Sequence, residues 1–398
     1  MDNKPRVMVL SSLFPSKIRP TAGLFVQQRM FRVAQHTELF VVSPVPWFPG
    51  QGLLRLFKPD YRPMPPLHEQ QQGIDVYFPR FLAIPGLFRQ LDGWLMARSV
   101  RQLLKMFPKP IDIIDSHFTF PDGFAAAKLG HYLDKKVTIT LRGTELKQSH
   151  GPLLKQLKQA WNGATKLFAV SESLRQITVE HGIEPDKCTV IGNGIDTDLF
   201  IATDKAEAKT ALGIDTDCKV LITVGGLVER KGFHRVVACL PELLKEFPKL
   251  VYLIVGGANP EGNYRPQIET LSKELGVEEH VRFLGALSQS ELSLPLSAAD
   301  VFVLATSNEG WANVILEAMA CNTPVVATNV GGNREVVSSD KVGSIVPFGD
   351  PLALQKAVCK ALKKNWHEQD LQDYVRDNHW DRRINMILNE YQQLKDIS

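Results

Sequence analysis

Short apolar runs alternate with amphipathic stretches along nearly the whole chain. In the first half, the apolar runs predict strands at Val7–Ser11, Leu39–Ser43, Ile111–Asp115, Val137–Leu141, Leu167–Val170 and Cys188–Ile191. In the second half, the same pattern predicts strands at Val220–Val224, Val251–Val255, Val281–Leu284, Val301–Leu304 and Val325–Ala327. Amphipathic periodicity between the strands predicts helices at Phe25–Ala34, Phe124–Leu133, Leu153–Trp161, Leu174–Glu180, 233–246, 266–275, 289–298 and 312–321.

This alternation of strands and helices indicates an α/β protein. Strands rich in Val, Ile and Leu are typical of parallel sheets that helices cover on both faces. The pattern occurs twice, which predicts two Rossmann-like domains with parallel sheets. Ligands of such folds bind at the carboxyl ends of the strands, so we expect the site in a cleft that the two sheets face.

The domain boundary is predicted at the Gly/Asn-rich turn of residues 192–200. It divides the chain into an acceptor-binding domain, residues 1–200, and a donor-binding domain, residues 201–377. The last segment, residues 378–398, has helical periodicity and is expected to return to the first domain. A length of 398 residues suits two domains better than one core.

Composition narrows the class of protein. The chain is 44% hydrophobic and 22% charged, as in ordinary globular proteins. Its five cysteines are scattered, without a Cys-x-x-Cys pair, which disfavours disulfides and a zinc site and favours a reducing compartment. No apolar run reaches the roughly 18 residues of a membrane span, and the first run is too short for a signal peptide. We therefore expect a cytoplasmic protein without a nucleic-acid partner.

Charge is distributed unevenly. Residues 1–200 carry a formal balance of +8 and residues 201–398 one of −5, for a total of +3. Two segments of the first half, 46–58 and 81–109, mix aromatic and aliphatic side chains with Arg and Lys. This pattern predicts peripheral contact with an anionic membrane. The alternative is a core helix with a solvated basic face.

The most informative segment runs from Glu309 to Glu317. It predicts an acid in a loop, then a helix start, then a second acid about two turns along the helix, about 12 Å away if all of it is helical. Two carboxylates at that separation can accept hydrogen bonds from the hydroxyls at both ends of a sugar nucleotide. The N–H groups of the helix start can bind the phosphates between them.

Arg230 and Lys231 follow a predicted strand and open a helix. Cations there would stabilise a diphosphate leaving group as it gains charge. A divalent metal held by Asp196 and Asp198, or by Asp215 and Asp217, could do the same. We favour the cations, and so expect neither a metal nor another cofactor.

Two further candidate site residues follow predicted strands of the first half. Gly23 would let a ligand approach the backbone closely, and His117 could donate a hydrogen bond to a sugar or to the acceptor. The chain has no Walker loop, nucleophile elbow, zinc-protease helix or dinucleotide fingerprint. NTPase, hydrolase, metalloprotease and dehydrogenase activities are therefore disfavoured.

The segment Glu309–Thr328 resembles the hallmark of the retaining GT-B glycosyltransferases of the family-4 type, two glutamates separated by seven residues and followed by "EAMACGTPVVAT". The resemblance covers nearly the whole chain and includes Val170–Leu174, Gly192–Asp196, Arg230–Gly232, Val330–Gly332 and Trp380. The N-terminal "SSLFPSKIRPTAGLFVQQ" and "HFTFPDG" look like the subgroup that builds cell-envelope and exported polysaccharides.

The resemblance implies a metal-independent enzyme that transfers a sugar from a UDP- or GDP-sugar, with retention, to a glycan or lipid-linked acceptor. It assigns the donor sugar to Glu309 and the ribose to Glu317. It assigns the diphosphate to Lys231, with Arg230, the backbone of Ala312, Asn313 and Val314, and Gly23 from the first domain. His117 would line the sugar site.

Three positions depart from the family pattern. Gly226 stands where the family commonly has Arg, Ala22 precedes Gly23 where it has Gly-Gly, and Asn322 replaces a Gly. The loss of the Arg favours one alternative, an inactive GT-B module that binds nucleotide sugar. A sugar-nucleotide epimerase of the same fold is a second alternative, and the family match from Arg230 to Thr328 argues against it. For an active enzyme we expect front-face transfer, because no carboxylate is clearly placed as a nucleophile.

Overall fold

The computed structural model describes residues 4–57, 61, 64–84, 86–259 and 261–396. Lys58 and Pro85, which belong to the two predicted membrane-contact segments, lie outside these residues. So do residues 397–398 of the predicted C-terminal helix. The chain divides into two compact units, Met1–Asn193 with Arg383–Ser398, and Gly194–Arg382. The division after Asn193 falls within the turn from which the sequence predicted a boundary at residue 200.

The strands of the first unit that the structure describes are β1 (Arg6–Leu10), β2 (Glu38–Val42), β3 (Val45–Trp47), β4 (His68–Gln71), β5 (Ile74–Tyr77), β6 (Arg80–Leu82), β7 (Ile113–His117), β8 (Lys136–Leu141), β9 (Lys166–Ala169) and β10 (Cys188–Val190). Eight of these form one sheet in the order β10-β9-β8-β7-β1-β2-β5-β4, in which β4 alone is antiparallel to its neighbour. Strands β3 and β6 pair separately and in parallel. The six predicted strands are confirmed, whereas the short strands β3 to β6 were missed.

The described helices of the first unit are α1 (Leu24–Ala34), α2 (Gln51–Arg55), α3 (Asp92–Met106), α4 (Phe124–Leu133), α5 (Glu145–Gln148), α6 (Leu154–Gly163) and α7 (Glu172–Glu180). Gly23, immediately before α1, has φ +73, and a Cβ there would lie 2.3 Å from the carbonyl oxygen of Leu13. Only glycine fits this turn.

The second unit contains one six-stranded sheet in the described part of the chain: β11 (Val220–Val224), β12 (Val251–Val255), β13 (Val281–Gly285), β14 (Val301–Leu304), β15 (Val325–Thr328) and β16 (Gly343–Val346). Its order is β13-β12-β11-β14-β15-β16, and all neighbours are parallel. The sequence missed β16, because Gly343 and Ser344 leave only two apolar residues in that strand.

Its described helices are α8 (Lys205–Ala211), α9 (Phe233–Val237), α10 (Leu240–Glu246), α11 (Arg265–Glu274), α12 (Gln289–Ala298), α13 (Asn313–Ala320), α14 (Asn333–Val336), α15 (Pro351–Lys363) and α16 (Glu368–Asp377). The single helix predicted over 233–246 is wrong. Pro241, the second residue of α10, lacks the N–H that a continuous helix would need, so a new helix begins there. After α13, Asn322 has φ +60, a left-handed conformation that Asn adopts more readily than most residues, so it can take the place of the family's Gly.

Helices cover both faces of this sheet, as the sequence predicted. Ile222 and Leu253 are buried in a cluster with residues of α12 and α13. Their neighbours Leu221 and Tyr252 are buried on the opposite face with residues of α9 and α15. Since successive residues of a strand point to opposite faces, both faces must be apolar.

The final helix, α17 (Trp380–Asp396), crosses the division between the units at Arg383. Within the first unit, Glu390 accepts a hydrogen bond from the Thr189 hydroxyl at 2.7 Å and lies 3.3 Å from Lys166 Nζ. Tyr391 is fully buried there. The segment after Arg383 is therefore part of the first unit's interior packing.

Gly343 tests the packing of the edge strand β16. A Cβ at this position would lie 2.3 Å from the carbonyl oxygen of Val325 on the neighbouring strand. Gly343→Ala should therefore lower the free energy of unfolding by about 1–3 kcal/mol, the usual cost of overpacking. Gly52→Ala, where a Cβ meets nothing within 4 Å, is the control. Equal urea midpoints for the two variants would contradict the prediction.

Candidate functional site

The strand order of the second unit's sheet reverses direction between β11 and β14. The chain runs outward from β11 through β12 to β13, and outward from β14 through β15 to β16. The loops that follow β11 and β14 therefore leave the carboxyl edge side by side, at the switch point where open α/β sheets bind ligands. Lys231 lies in the first loop and Glu309 in the second.

The side chains of Lys231 and Glu309 form a close ion pair. Lys231 Nζ lies 2.5 Å from Glu309 Oε1, and the two side chains are only 14% and 10% exposed. Thr306 Oγ1 is 3.4 Å from the same carboxylate oxygen. The amide of Ser307 donates to the carbonyl of Arg230 at 2.8 Å, which joins the two loops through their backbones. A cation and a carboxylate are thus held together at the switch point.

Glycine contacts fix the position of the Glu309 loop. Gly331, in the loop after β15, has φ +50, and a Cβ there would lie 1.6 Å from the carbonyl oxygen of Glu309. Gly232, with φ +79, meets the carbonyl oxygen of Ala305 in the same way at 1.9 Å. Neither position can accept a side chain without moving the loop.

Arg230 is engaged by a partner that the sequence did not reveal. Its Nε and Nη2 donate to the two carboxylate oxygens of Glu261 at 2.8 and 2.9 Å. These hydrogen bonds raise the pKa of Arg230, and Glu309 adds to the effect. Arg230 Nη1 also lies 3.5 Å from Glu309 Oε1. Glu261 lies in the loop after β12 and is 31 residues from Arg230 in the sequence, so no local pattern could have indicated this contact.

A second residue of the loop after β12, Asn259, occupies the space beside Gly226. A Cβ on Gly226 would lie 2.4 Å from Asn259 Nδ2. The side-chain Oδ1 of Asn259 accepts a hydrogen bond from the backbone N–H of Glu261 at 2.8 Å, which turns the side-chain Nδ2 of Asn259 toward Gly226. A side chain at position 226 and this placement of Asn259 exclude each other.

Glu317 lies in α13, which begins at Asn313. Glu309 lies in the loop before this helix, as the sequence predicted, but the predicted two turns to the second acid are wrong, because Glu317 lies only about one turn into the helix. Burial raises the pKa of the Glu317 carboxyl to about 7, although the charge of Lys231 opposes this shift. Among the described residues, its carboxylate has no side-chain hydrogen bond.

The amino end of α13 is open to a ligand's charge. Ala312 precedes the helix with extended backbone, and within the part of the chain that the structure describes no side chain caps this end. An α-helix of this kind carries a partial positive charge at its amino end. Asn313 and Val314 supply the first turn, as the sequence predicted.

His117 and Gly23 belong to the first unit. His117 is the last residue of β7 and is fully buried. Its Nδ1 accepts from Arg142 Nε and Nη2 at 3.1 and 2.9 Å, and its Nε2 lies 3.4 Å from Asp115 Oδ2. Burial, with the charge of Arg142, lowers the pKa of His117 to about 4, so the ring is neutral. Both ring nitrogens face protein groups, and the role predicted for His117 stays a prediction.

One group of residues in the described chain could hold a metal ion. Ligand atoms of Asp215, Asp217 and Cys218 lie within 4.8 Å of one another. They precede β11 and therefore lie at the amino edge of the sheet, opposite Lys231 and Glu309. Asp217 also pairs with Lys249 at 2.5 Å. A metal at this group could not contact a diphosphate bound at the switch point.

Comparison with solved structures defines the class of the fold. Sucrose-phosphate synthase from Thermosynechococcus elongatus matches with a TM-score of 0.78 and 19% identity, over 100% of both chains. Anabaena Alr3699/HepE in complex with UDP-glucose matches with a TM-score of 0.68 and 19% identity, over 99% of this chain and 100% of that one. The chain has the GT-B fold of glycosyltransferases, with two Rossmann-like units.

Sequence comparison defines the family. The family model for glycosyl transferases group 1 matches residues 204–378, and the model for glycosyltransferase family 4 matches residues 54–199. A Bacillus subtilis (strain 168) protein described as the teichuronic acid biosynthesis glycosyltransferase TuaC is 26% identical, over 94% of this chain and 92% of its own. An Actinosynnema mirum D-inositol 3-phosphate glycosyltransferase is 28% identical, over 84% and 86%. The chain belongs to the family-4 GT-B glycosyltransferases.

The buried environment of His117 predicts that its ring protonates only at a pH well below that of an exposed histidine. An unfolded histidine has a pKa near 6.5, so the folded ring should stay neutral while the unfolded one protonates as the pH falls toward 4. In NMR spectra of protein with labelled histidine rings, the His117 resonance can be assigned from its loss in His117→Phe. The chemical shift of this resonance should not change between pH 8 and about 5. A midpoint near pH 6.5 would contradict this burial.

Proposed function

We propose that this glycosyltransferase transfers a sugar from a nucleotide-sugar donor, a UDP- or GDP-sugar, and that the second unit binds the donor. The ion pair between Lys231 and Glu309 at the switch point carries the proposal. A sugar diphosphate offers a replacement for each partner of this pair. Its phosphate oxygens can take the contact with the Lys231 ammonium, and its sugar hydroxyls can donate to the Glu309 carboxylate.

The other residues extend this assignment along the donor. Arg230 would add charge next to Lys231, and the amino end of α13, from Ala312 to Val314, would bind phosphate oxygens. Glu317 would accept hydrogen bonds from the ribose. Its carboxylate lacks a hydrogen-bond partner among the residues described, and that supports a role in binding a ligand. Gly23 and His117 stay predicted donor contacts of the first unit.

We propose transfer with retention and without a metal. In a front-face reaction, the bond from the anomeric carbon to the diphosphate breaks and the acceptor oxygen bonds to the same face. The acceptor's proton goes to the leaving phosphate. No carboxylate of the sequence is clearly placed as a nucleophile, and that supports this course. A glycosyl-enzyme adduct trapped on any carboxylate would overturn it.

The proposed acceptor is a glycan or a lipid-linked glycan used in polysaccharide biosynthesis. The match to a teichuronic acid biosynthesis glycosyltransferase supports a glycan acceptor. Across the described residues, no helix has the length and hydrophobicity needed to span a bilayer. We propose peripheral contact with an anionic membrane, and a cytoplasmic location that is supported by five free thiols.

A second candidate is a GT-B module that binds nucleotide sugar without transferring it. Two observations favour it: position 226 has no cation, and Arg230 is held by Glu261. Both reduce the positive charge available to a departing diphosphate. Both the active transferase and the inactive module would bind a nucleotide sugar, but only the transferase would convert it.

Nucleotide release from a panel of UDP-, GDP- and ADP-sugars, with lipid extract and D-inositol 3-phosphate as acceptors, tests the proposal. We expect release with one donor, and loss of at least about a hundredfold in Glu309→Ala with nucleotide binding retained. Binding without turnover by any donor, beside an active control enzyme, would support the inactive module. Full activity of Glu309→Ala would refute the role of Glu309.

Removing the carboxylate of Glu261 should release Arg230 toward the donor. We expect Glu261→Gln to lower the KM for the nucleotide sugar about threefold to tenfold, as one partly exposed ion pair is lost. Glu269→Gln, which removes the exposed partner of Arg265, is the matched control and should leave KM unchanged. A higher KM in Glu261→Gln would mean that this ion pair helps to build the site.

A further inference from the structure

A groove of about 810 Å³ lies between α3 and α4 in the first unit. Among the described residues, its walls carry several basic side chains and no acidic one. The four permanent cations among them, called the basic stripe here, are Arg98, Arg101, Lys105 and Lys128. The groove is lined on all sides by residues of the first unit and contains none of the residues assigned to the donor.

In the part of the chain that the structure describes, the basic stripe has no acidic partner. Across the described residues, none of its four side chains forms an ion pair with a carboxylate. Two of them lie over aromatic rings instead, Arg101 at 4.0 Å from the centre of Tyr132 and Lys128 at 4.6 Å from that of Trp94. Both rings are about half exposed, at 53% and 52%. Unneutralised cations on an aromatic floor attract an anionic ligand.

The helix α3 aligns most of the stripe along one direction. Arg98, Arg101 and Lys105 recur at intervals of three and four residues on its exposed side, whereas Val100 and Leu103 are buried on the other. From Trp94 to Lys105 this side extends about 16 Å along the helix axis. A row of that length can contact several anionic groups lying in one surface.

Exposed apolar side chains lie on the two segments that follow β3 and β6. Because β3 and β6 are parallel, the segments that follow them leave the same end of this pair. Both segments expose apolar side chains, called the apolar tip here: Leu53, Leu54, Leu56, Phe57, Ile84, Leu87, Phe88 and Leu91. Phe57 and Phe88 are 84% and 68% exposed. The second segment leads directly into α3, three residues before Trp94.

We propose that the apolar tip inserts into an anionic phospholipid bilayer while the basic stripe binds lipid phosphates in the groove. This deepens the membrane contact already proposed and is independent of the transfer reaction. A soluble polyanion would explain the cations alone, whereas a bilayer explains both features, since it offers phosphates next to hydrocarbon. The aromatic rings of Trp94 and Tyr132 would lie at the boundary between them.

Flotation with vesicles tests the proposal on the whole protein. We expect binding to phosphatidylglycerol-containing vesicles and much weaker binding to phosphatidylcholine alone. The triple variant Arg98→Gln, Arg101→Gln, Lys105→Gln should bind the anionic vesicles roughly a hundredfold more weakly, at about fivefold for each cation. Raising the salt from about 0.1 to 1 M should weaken wild-type binding, because screening shortens the Debye length from about 10 to 3 Å.

A matched control separates the site from net charge. Lys273→Gln, Lys356→Gln, Lys360→Gln removes three exposed lysines of the second unit and should bind like wild type. Equal losses in both triple variants would overturn the proposal, and so would equal binding of wild type to both lipids. Tighter binding to soluble polyphosphate than to vesicles would also overturn it, in favour of a soluble polyanion.

A single substitution tests the role of the apolar tip in vesicle binding. Leu87→Ser should weaken vesicle binding severalfold, whereas Leu352→Ser should not, although both leucines are 55% exposed. Nucleotide release with a soluble acceptor should be unchanged in Leu87→Ser and in the basic-stripe variant. Vesicle binding that survives Leu87→Ser unaltered would refute insertion of the tip. Loss of nucleotide release in all proteins, wild type included, would count against the proposed transferase function alone.

Discussion

The ion pair between Lys231 and Glu309 is the interaction on which the proposed chemistry depends. Each side chain is largely removed from water and has the other as its main counter-charge. Removing one partner of a fully buried pair costs about 3–5 kcal/mol, because the remaining charge loses its compensation. A ligand that separates the two must therefore offer an anion to the lysine and hydrogen-bond donors to the carboxylate. Sugar diphosphates combine these groups in one molecule.

The fold holds this pair in place through backbone contacts. The switch point of the sheet brings the loops after β11 and β14 together. Gly331 and Gly232 then admit the carbonyl oxygens of Glu309 and Ala305 at distances that no side chain would permit. The loop after β12 also contacts these loops. Its Asn259 lies beside Gly226, and its Glu261 forms an ion pair with Arg230. The charge available to a ligand is thus set as much by this loop as by the cations themselves.

Much of the fold follows from local sequence, because long apolar runs and helical periodicity are local. The strands around Val9, Ile222 and Phe302 and the helix α12 were predicted in this way. Short or polar strands such as β4 and β16 depend on a neighbouring strand for their pairing, and sequence alone does not reveal it. The site shows the same limit. Motif position indicated Lys231, Glu309 and Glu317, whereas Asn259 and Glu261 reach the site only through tertiary contacts.

Binding of UDP alone to Glu309→Gln, measured by calorimetry beside wild type, shows whether Glu309 holds Lys231 away from the diphosphate. UDP has the diphosphate and lacks the transferred sugar, so it needs Lys231 and gains nothing from the Glu309 carboxylate. We expect Glu309→Gln to bind UDP about tenfold more tightly than wild type, because the lysine is freed from its partner, and Lys231→Met to bind it more weakly. Equal or weaker binding of UDP to Glu309→Gln would contradict this expectation.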